Sequence, residues 1–168
     1  MDVLFLHGNY PGQFAQLAVG MAKQPGIRVL FLTNRADPED DPLEGVEVRR
    51  FERHRDTTPG IHPYLGSSEQ AVLNGQGVIR ALADLGKEGF RPRLVIAHGG
   101  NGLLLFLRQL LPKACLVGYF EWWLRDQQAV WLCDRCEDVG RRNGRKLALA
   151  AQDLGTIIHQ IHSHNSTN

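Results

Sequence analysis

The sequence predicts an α/β fold, a single Rossmann-like domain with a doubly wound parallel sheet. Strand-like apolar runs alternate with helix-like segments almost from end to end. Strands that are separated by helices favour parallel pairing, because right-handed crossovers are the preferred connection. The first apolar run also leads through a glycine-containing turn into a helix-like pattern, which is the geometry that nucleotide-binding domains use to hold phosphates.

The elements are assigned from the spacing of their apolar residues. We predict strands at residues 3–6, 27–32, 46–51, 94–97 and 115–120. The third alternates apolar and polar residues, as an edge strand does, and the fourth is predicted to be central. Helices are predicted near residues 11–24, 67–87, 103–111 and 136–153. The buried face of the long second helix is predicted to carry Val72, Ile79, Leu82 and Leu85.

Composition limits the function classes. The chain has 168 residues, 43% hydrophobic and 22% charged, with a net charge of +1, which is typical of a globular protein and gives no footprint for a polyanion or a membrane surface. No apolar run approaches the length of a membrane span, and the first residues lack the pattern of a signal peptide. Three cysteines do not make a disulfide framework. We therefore expect a cytoplasmic protein without a membrane span or a nucleic-acid partner.

The turn after the first strand contains Gly8, Pro11 and Gly12. Glycine lets the backbone approach an anion closely, and proline is well tolerated in a first helical turn. The pattern is neither a P-loop nor the dinucleotide fingerprint. Two interpretations stay open: contact with a phosphate or sugar, or an ordinary strand–helix turn shaped by glycine and proline.

The fourth strand ends at His98, which is followed by Gly99, Gly100, Asn101 and Gly102. These glycines are expected to expose backbone N–H groups at the N-terminus of the next helix. A similar run forms an oxyanion hole in lipases, but the absence of their nucleophile elbow argues against a hydrolase. His98 could orient a hydroxyl or act as a base; alternatively, it is hydrogen-bonded to the neighbouring backbone.

Glu121, Trp122 and Trp123 follow the fifth strand. A carboxylate beside aromatic rings suits sugar binding, because the rings stack on apolar sugar faces while the acid accepts hydroxyl protons. The tryptophans could equally pack against a partner domain.

Cys133 and Cys136 form a lone C-x-x-C pair. The pair could join His159 and His162 in a zinc site or carry redox chemistry, but unpaired thiols are the favoured interpretation.

Four blocks together resemble the N-terminal domain of glycosyltransferase family 4 proteins. The opening LHGNYPGQF resembles the family's "hxNFPGQF", and GIHPYL at 60–65 resembles "GTHPYL", followed by Glu69 in the next helix. FRPRLVIAH at 90–98 resembles "F.PDVVVAH", and GYFEWW at 118–123 resembles "GYFEFYY". The blocks occur in the family's order over about residues 1–155.

This resemblance implies a GT-B glycosyltransferase, whose N-terminal half binds the acceptor and whose C-terminal half binds most of the nucleotide sugar. It implies retaining, metal-independent transfer of a glycosyl group to an acceptor hydroxyl, with nucleotide sugar as co-substrate and no cofactor. His98 is the catalytic candidate. The residues expected to contact substrate are Gly8, Asn9, Gly12, Gln13, Gly99, Gly100, Glu121 and Trp122.

The chain also departs from the family pattern. The "PGWGE" that follows the histidine in the family is replaced by GGNGL, and we expect the family's second domain to be missing from this chain. We expect a glycosyltransferase domain at 1–155, a divergent histidine-rich tail at 156–168, and a truncated acceptor half that is inactive alone.

Two alternatives are a non-catalytic module, which pairs with a separate donor-binding domain or with itself, and a self-standing flavodoxin-like or thiol protein.

Overall fold

A computed structural model describes residues 1–120 of the chain. Residues 1–61 and 65–120 form one compact unit, which contains the sheet. The helix predicted at 136–153, the C-x-x-C pair, Trp123 and the histidine-rich tail lie outside the described residues. The domain boundary at residue 155 therefore stays a prediction.

Five parallel strands form one sheet. They are β1 (Asp2–Leu6), β2 (Arg28–Thr33), β3 (Val46–Arg50), β4 (Pro92–His98) and β5 (Cys115–Tyr119). Their order in the sheet is β3-β2-β1-β4-β5, and every neighbouring pair is parallel. The Rossmann-like fold is thus confirmed. The predicted edge position of β3 in the described sheet is also confirmed, as is the internal position of β4.

Three helices cover the two faces of the sheet: α1 (Ala15–Ala22), α2 (Pro63–Lys87) and α3 (Leu107–Leu110). Alternate residues of each strand point to opposite faces, so β1 contributes to two separate cores. On one face Val3 and Phe5 pack with Ala18 of α1. On the other face Leu4 and Leu6 pack with side chains of α2 and α3. No helix in the described part of the chain is both long and apolar enough to span a bilayer.

The start of α1 differs from the prediction. Helix α1 begins at Ala15 rather than near residue 11, because a loop and a 3-10 turn at Gly12–Phe14 intervene after β1. The strand therefore does not lead straight into a helix N-terminus.

Helix α3 is also shorter than predicted. Residues 101–106 form turns, and the helix covers only Leu107–Leu110 instead of 103–111. Asn101 and Gly102 have positive φ angles of 56° and 78°, which are incompatible with helix propagation. The glycines after His98 therefore do not stand at a helix N-terminus.

Helix α2 begins at Pro63, four residues earlier than predicted, and proline is favoured at the first position of a helix. Its buried face also differs. Leu82 and Leu85 are buried as predicted, but Val72 is exposed. The helix instead packs closely through small residues: a Cβ on Gly77 would lie 2.7 Å from the carbonyl oxygen of Glu52. A pattern search that counts only large apolar side chains misses such a face.

The first prediction concerns the central core. Leu30 of β2 is fully buried, so Leu30→Ala should lower the free energy of unfolding by about 2–5 kcal/mol through lost burial and the cavity left behind. Leu65→Ala is the matched control: the Leu65 side chain is 54% exposed, and we expect a change within about 0.5 kcal/mol. Urea unfolding measures both values. Equal losses in the two variants would contradict this description of the core.

Candidate functional site

Two histidines meet where the order of the strands reverses. From β1 the chain moves to β2 and β3 on one side, then returns through α2 to β4 on the other side of β1. Ligands of such sheets bind outside the carboxyl ends of the strands at this switch point. His7 directly follows β1 and His98 ends β4, and their ring centroids are 4.5 Å apart. This histidine pair is the centre of the candidate site.

Each histidine accepts a hydrogen bond from the backbone two residues further on. The Asn9 N–H donates to Nδ1 of His7 at 2.8 Å, and the Gly100 N–H donates to Nδ1 of His98 at 3.1 Å. A ring nitrogen that accepts a hydrogen bond carries no proton, so the neutral ring holds its proton at Nε2. The backbone contact considered in the sequence analysis is therefore present for His98, and the same contact makes Nε2 a donor.

The loop that follows His7 is fixed by contacts with β2 and with the segment that follows β2. Tyr10 is 1% exposed, and its ring lies edge-on to Phe31 with centroids 4.8 Å apart. The Tyr10 hydroxyl donates to the carbonyl oxygen of Asp41 at 2.9 Å, and Arg35 donates to the Tyr10 carbonyl at 2.8 Å. Burial, followed by the charge of Asp41, raises the pKa of the Tyr10 hydroxyl. Tyr10 thus anchors the turn from inside the protein.

Gly12 occupies a position in the turn that disfavours any side chain. Its φ is +53°, and an added Cβ would lie 3.0 Å from Nε2 of His7. A side chain here would meet both a strained backbone and the imidazole ring. The absence of a side chain at Gly12 therefore lets the turn close over His7.

The turn after β4 uses its own backbone groups internally. The Gly99 N–H donates to the carbonyl oxygen of Tyr119 at 2.7 Å, which extends the pairing of β4 with β5. The side-chain amide of Asn74 donates to the carbonyl of Asn101 at 3.0 Å, while its buried Oδ1 has no partner within the described residues. A Cβ on Gly102 would collide with the backbone of Ala71. Helix α2 therefore fixes this turn by direct backbone contact.

Aromatic rings surround the histidine pair. Phe14 stands edge-on to His7 with centroids 5.6 Å apart, and edge-on to Tyr119 at 5.9 Å. The His98 and Tyr119 centroids are 6.4 Å apart. Because Phe14 is buried and Tyr119 is 44% exposed, the cluster connects the core to a surface that presents an aromatic ring. Edge-to-face contacts of this kind fix ring orientations.

A second fixed feature lies beyond the carboxyl end of β3. The carboxylate of Glu69, on α2, accepts from the Thr58 backbone N–H at 2.9 Å and from the Thr58 hydroxyl at 2.7 Å, and it contacts Arg55 at 2.8 Å. Hydrogen bonds from Thr58, followed by that from Arg55, lower the pKa of Glu69 to about 2. Glu69 thereby fastens the loop after β3 to helix α2.

The predicted site residues fall into three groups. Gly8, Asn9, Gly12 and Gln13 all lie in the turn after β1. His98, Gly99 and Gly100 lie in the turn after β4, and the parallel pairing of β1 with β4 brings the two turns together. Glu121 and Trp122 lie outside the described residues. The contacts of all these residues with substrate stay predictions.

Two residues were not predicted as part of the site. The proximity of His7 to His98 follows only from the order of the strands. Asn34 follows β2, and its Oδ1 lies 3.2 Å from where a Cβ on Gly8 would stand. The rule that ligands bind at the carboxyl ends of parallel strands already marks the ends of β1 and β2, where both residues lie.

Within residues 1–120, no group of three or more histidine, cysteine, aspartate or glutamate side chains is placed to hold a metal ion. The metal independence implied by the resemblance stays an expectation.

The sheet order and the position of the paired turns define the protein as a Rossmann-like α/β domain. It belongs to a glycosyltransferase family: the sequence model of the "Glycosyl transferase family 4 group" matches residues 25–158. That match begins after the first turn, so the opening LHGNYPGQF lies outside it. No curated protein matches the chain.

The fold is shared with a solved plant protein. Os79 from O. sativa, solved in complex with U2F and trichothecene, is 12% identical with a TM-score of 0.52 over 90% of this chain and 44% of that protein. Apo UGT2 from Phytolacca americana is 12% identical with a TM-score of 0.47 over 83% of this chain and 33% of that protein. The chain thus spans less than half the length of either protein.

The second prediction compares two glycine substitutions. Gly12→Ala should lower the free energy of unfolding by about 1–2 kcal/mol, because its positive φ disfavours any side chain and the new methyl group meets His7. Gly20→Ala, in helix α1, has no atom within 4 Å of the new Cβ and should stabilise the protein by about 0.5–1 kcal/mol. Chemical unfolding measures both. Stabilisation of the protein by Gly12→Ala would contradict the described turn.

The third prediction concerns acid stability. Because the pKa of Glu69 is lowered to about 2 in the folded protein, its stabilising contribution is fully present above an ordinary glutamate pKa of about 4.5. It declines as the pH falls from there through 2. Wild-type protein should therefore exceed Glu69→Gln in stability at pH 7, and the difference should shrink below pH 4.5.

Chemical unfolding across this pH range measures the difference. Arg55→Gln is the matched variant; it keeps both hydrogen bonds from Thr58 and should show a smaller effect. A difference between wild type and Glu69→Gln that is the same at pH 2.5 as at pH 7 would refute the prediction.

Proposed function

We propose that this chain is the acceptor-side N-terminal domain of a retaining glycosyltransferase, which moves a sugar from a nucleotide sugar to an acceptor hydroxyl. The observation that carries the proposal is the contact between His7 and His98 at the switch point, 4.5 Å between ring centroids. In a parallel sheet this is the place where a bound ligand meets residues from two strands. Membership of the family supplies the reaction class.

The protonation of the histidines supports a binding role. Since Nδ1 of His98 accepts the Gly100 N–H, the neutral ring carries its proton at Nε2 and acts as a donor. A donor at this point can orient an oxygen of the acceptor or of the transferred sugar. It cannot take a proton from the acceptor hydroxyl without first losing its own. We therefore assign His98 to hydrogen bonding of substrate rather than to general-base catalysis.

The same assignment agrees with transfer that retains configuration. In that reaction the bond from the anomeric carbon to the diphosphate breaks, and a bond from that carbon to the acceptor oxygen forms. The acceptor's proton passes to an oxygen of the departing diphosphate, so the protein needs no base. The transition state has oxocarbenium character, and fixed donors stabilise the charge that develops on the leaving group. The predicted contacts from the turn of Gly8 and Gly12 would add to this stabilisation of the leaving group.

We further propose that the chain does not catalyse transfer alone. Residues 1–61 and 65–120 form one Rossmann-like unit, whereas the resemblance assigns most of donor binding to a second domain. Pairing with a separate donor-binding domain, or with a second copy, and a cytoplasmic location remain predictions that accompany this proposal.

The fourth prediction tests the role of His98. The assay uses the enzyme that contains this chain, purified by means of an affinity tag on the chain. His98→Ala removes the donor and should lower kcat/KM about 10²-fold, as loss of one transition-state hydrogen bond does. His98→Gln keeps an N–H donor and should stay within about tenfold of wild type. Release of nucleoside diphosphate from a panel of nucleotide sugars measures the rate, and proton NMR of the product gives its anomeric configuration.

Each outcome bears on a separate part of the proposal. Equal losses in the two variants would indicate a base and contradict the donor assignment. An inverted product would contradict retention. Turnover by the isolated chain with any of these nucleotide sugars would contradict its inactivity alone.

A further inference from the structure

A polar cavity lies beside the turn of β1, at the carboxyl ends of β2 and β3. Its volume is about 330 Å³, and it is lined by Asn34 and residues 50–56. Three arginines stand in this lining, Arg50, Arg53 and Arg55. The volume is within the range of small-molecule sites, and arginine is the side chain that best matches the planar oxygens of carboxylate and phosphate groups.

The acidic partners of Arg50 and Arg53 hold them loosely. Arg50 is 3.5 Å from Glu52, whose side chain is 75% exposed, and Arg53 is 3.4 Å from Asp56, whose side chain is 94% exposed. Exposed ion pairs contribute little free energy, typically about 0–1 kcal/mol. A ligand anion inside the cavity can therefore replace either carboxylate at small cost.

Arg55 differs from the other two arginines. Its guanidinium contacts Glu69 at 2.8 Å and the Thr58 hydroxyl at 3.3 Å, and Glu69 itself is held by Thr58. Because these contacts fasten the loop to α2, the cavity wall is already in place before any ligand arrives. Arg55 is thus a positioning residue, while Arg50 and Arg53 are the residues that would donate hydrogen bonds to the anion.

The cavity adjoins the candidate active site through one residue. Asn34 lines the cavity, and its Oδ1 lies 3.2 Å from the Cβ position of Gly8 in the turn of β1. Any side chain at position 8 would crowd this connection. Asn34 therefore joins the cavity lining to the turn that follows His7.

We propose that this cavity binds the anionic group of the acceptor, so that the acceptor is a small molecule with one phosphate or carboxylate. The inference rests on the proposed glycosyltransferase function. Two loosely paired arginines, with Glu52 and Asp56 beside them, suit a single anionic group and not a polyanion. The resulting contacts would be charge-assisted hydrogen bonds, which are stronger than neutral ones.

Calorimetric titration of the whole chain tests this inference. Glucose 6-phosphate and glucuronate should bind, and glucose should bind at least tenfold more weakly than one of them. The stronger anionic sugar distinguishes phosphate from carboxylate. Arg50→Gln and Arg53→Gln should each weaken that binding about tenfold or more, as expected when a charged hydrogen bond is lost.

Arg49→Gln is the matched control, since Arg49 is the neighbouring arginine on β3 but pairs with Glu47 and does not line the cavity. It should leave binding unchanged. Thermal unfolding verifies that all three variants fold. Binding is measured without transfer of a sugar. An enzyme that is inactive but still binds the anion would therefore refute the proposed function and leave the inference about the cavity standing.

Two results would overturn the inference itself. One is the absence of anionic-sugar binding, or binding that Arg50→Gln and Arg53→Gln do not change. The other is that uridine diphosphate binds, that both variants weaken its binding, and that neither anionic sugar competes with it. This result would make the cavity a nucleotide site.

Discussion

The pairing of β1 with β4 is the contact on which the rest of the molecule depends. Four successive residues of β1 align with residues 94–97 of β4, from Val3 opposite Leu94 to Leu6 opposite Ala97. Alternate residues of both strands pack into the two different cores, so a slip of one residue would move each of them to the opposite core. This register places His7 next to His98. The site is therefore determined by the same burial that determines the fold.

Both turns of the site satisfy much of their own backbone. The N–H groups of Asn9, Gly99 and Gly100 bind acceptors within the protein, two of them on histidine rings. A phosphate-binding turn of the P-loop type instead points several N–H groups at its ligand. The proposed binding of substrate consequently relies more on side chains, namely imidazole and guanidinium groups, than on a cradle of backbone amides.

The sequence predicts the strands better than the helices, for physical reasons. Strands of a buried parallel sheet are short apolar runs, and each of the five was found within a few residues of its true position. Helix α2 packs closely at Gly77, where no large apolar side chain marks the buried face, and residues 103–106 form turns where a helix was predicted. The sequence predicts which residues at the strand ends belong to the site. It does not predict their partners, since the contact between His7 and His98 spans 91 positions and arises only from the strand order.

The charged edge of the sheet has a consequence for assembly. Strand β3 is the last strand on its side of the described sheet, and it carries Glu47, Arg49 and Arg50 in five residues. Arg49 and Arg28 both pair with Glu47, which gathers three charges along this border. An incoming strand would have to strip water from these groups while competing for their partners. Self-association through a continuous sheet across this border is therefore disfavoured.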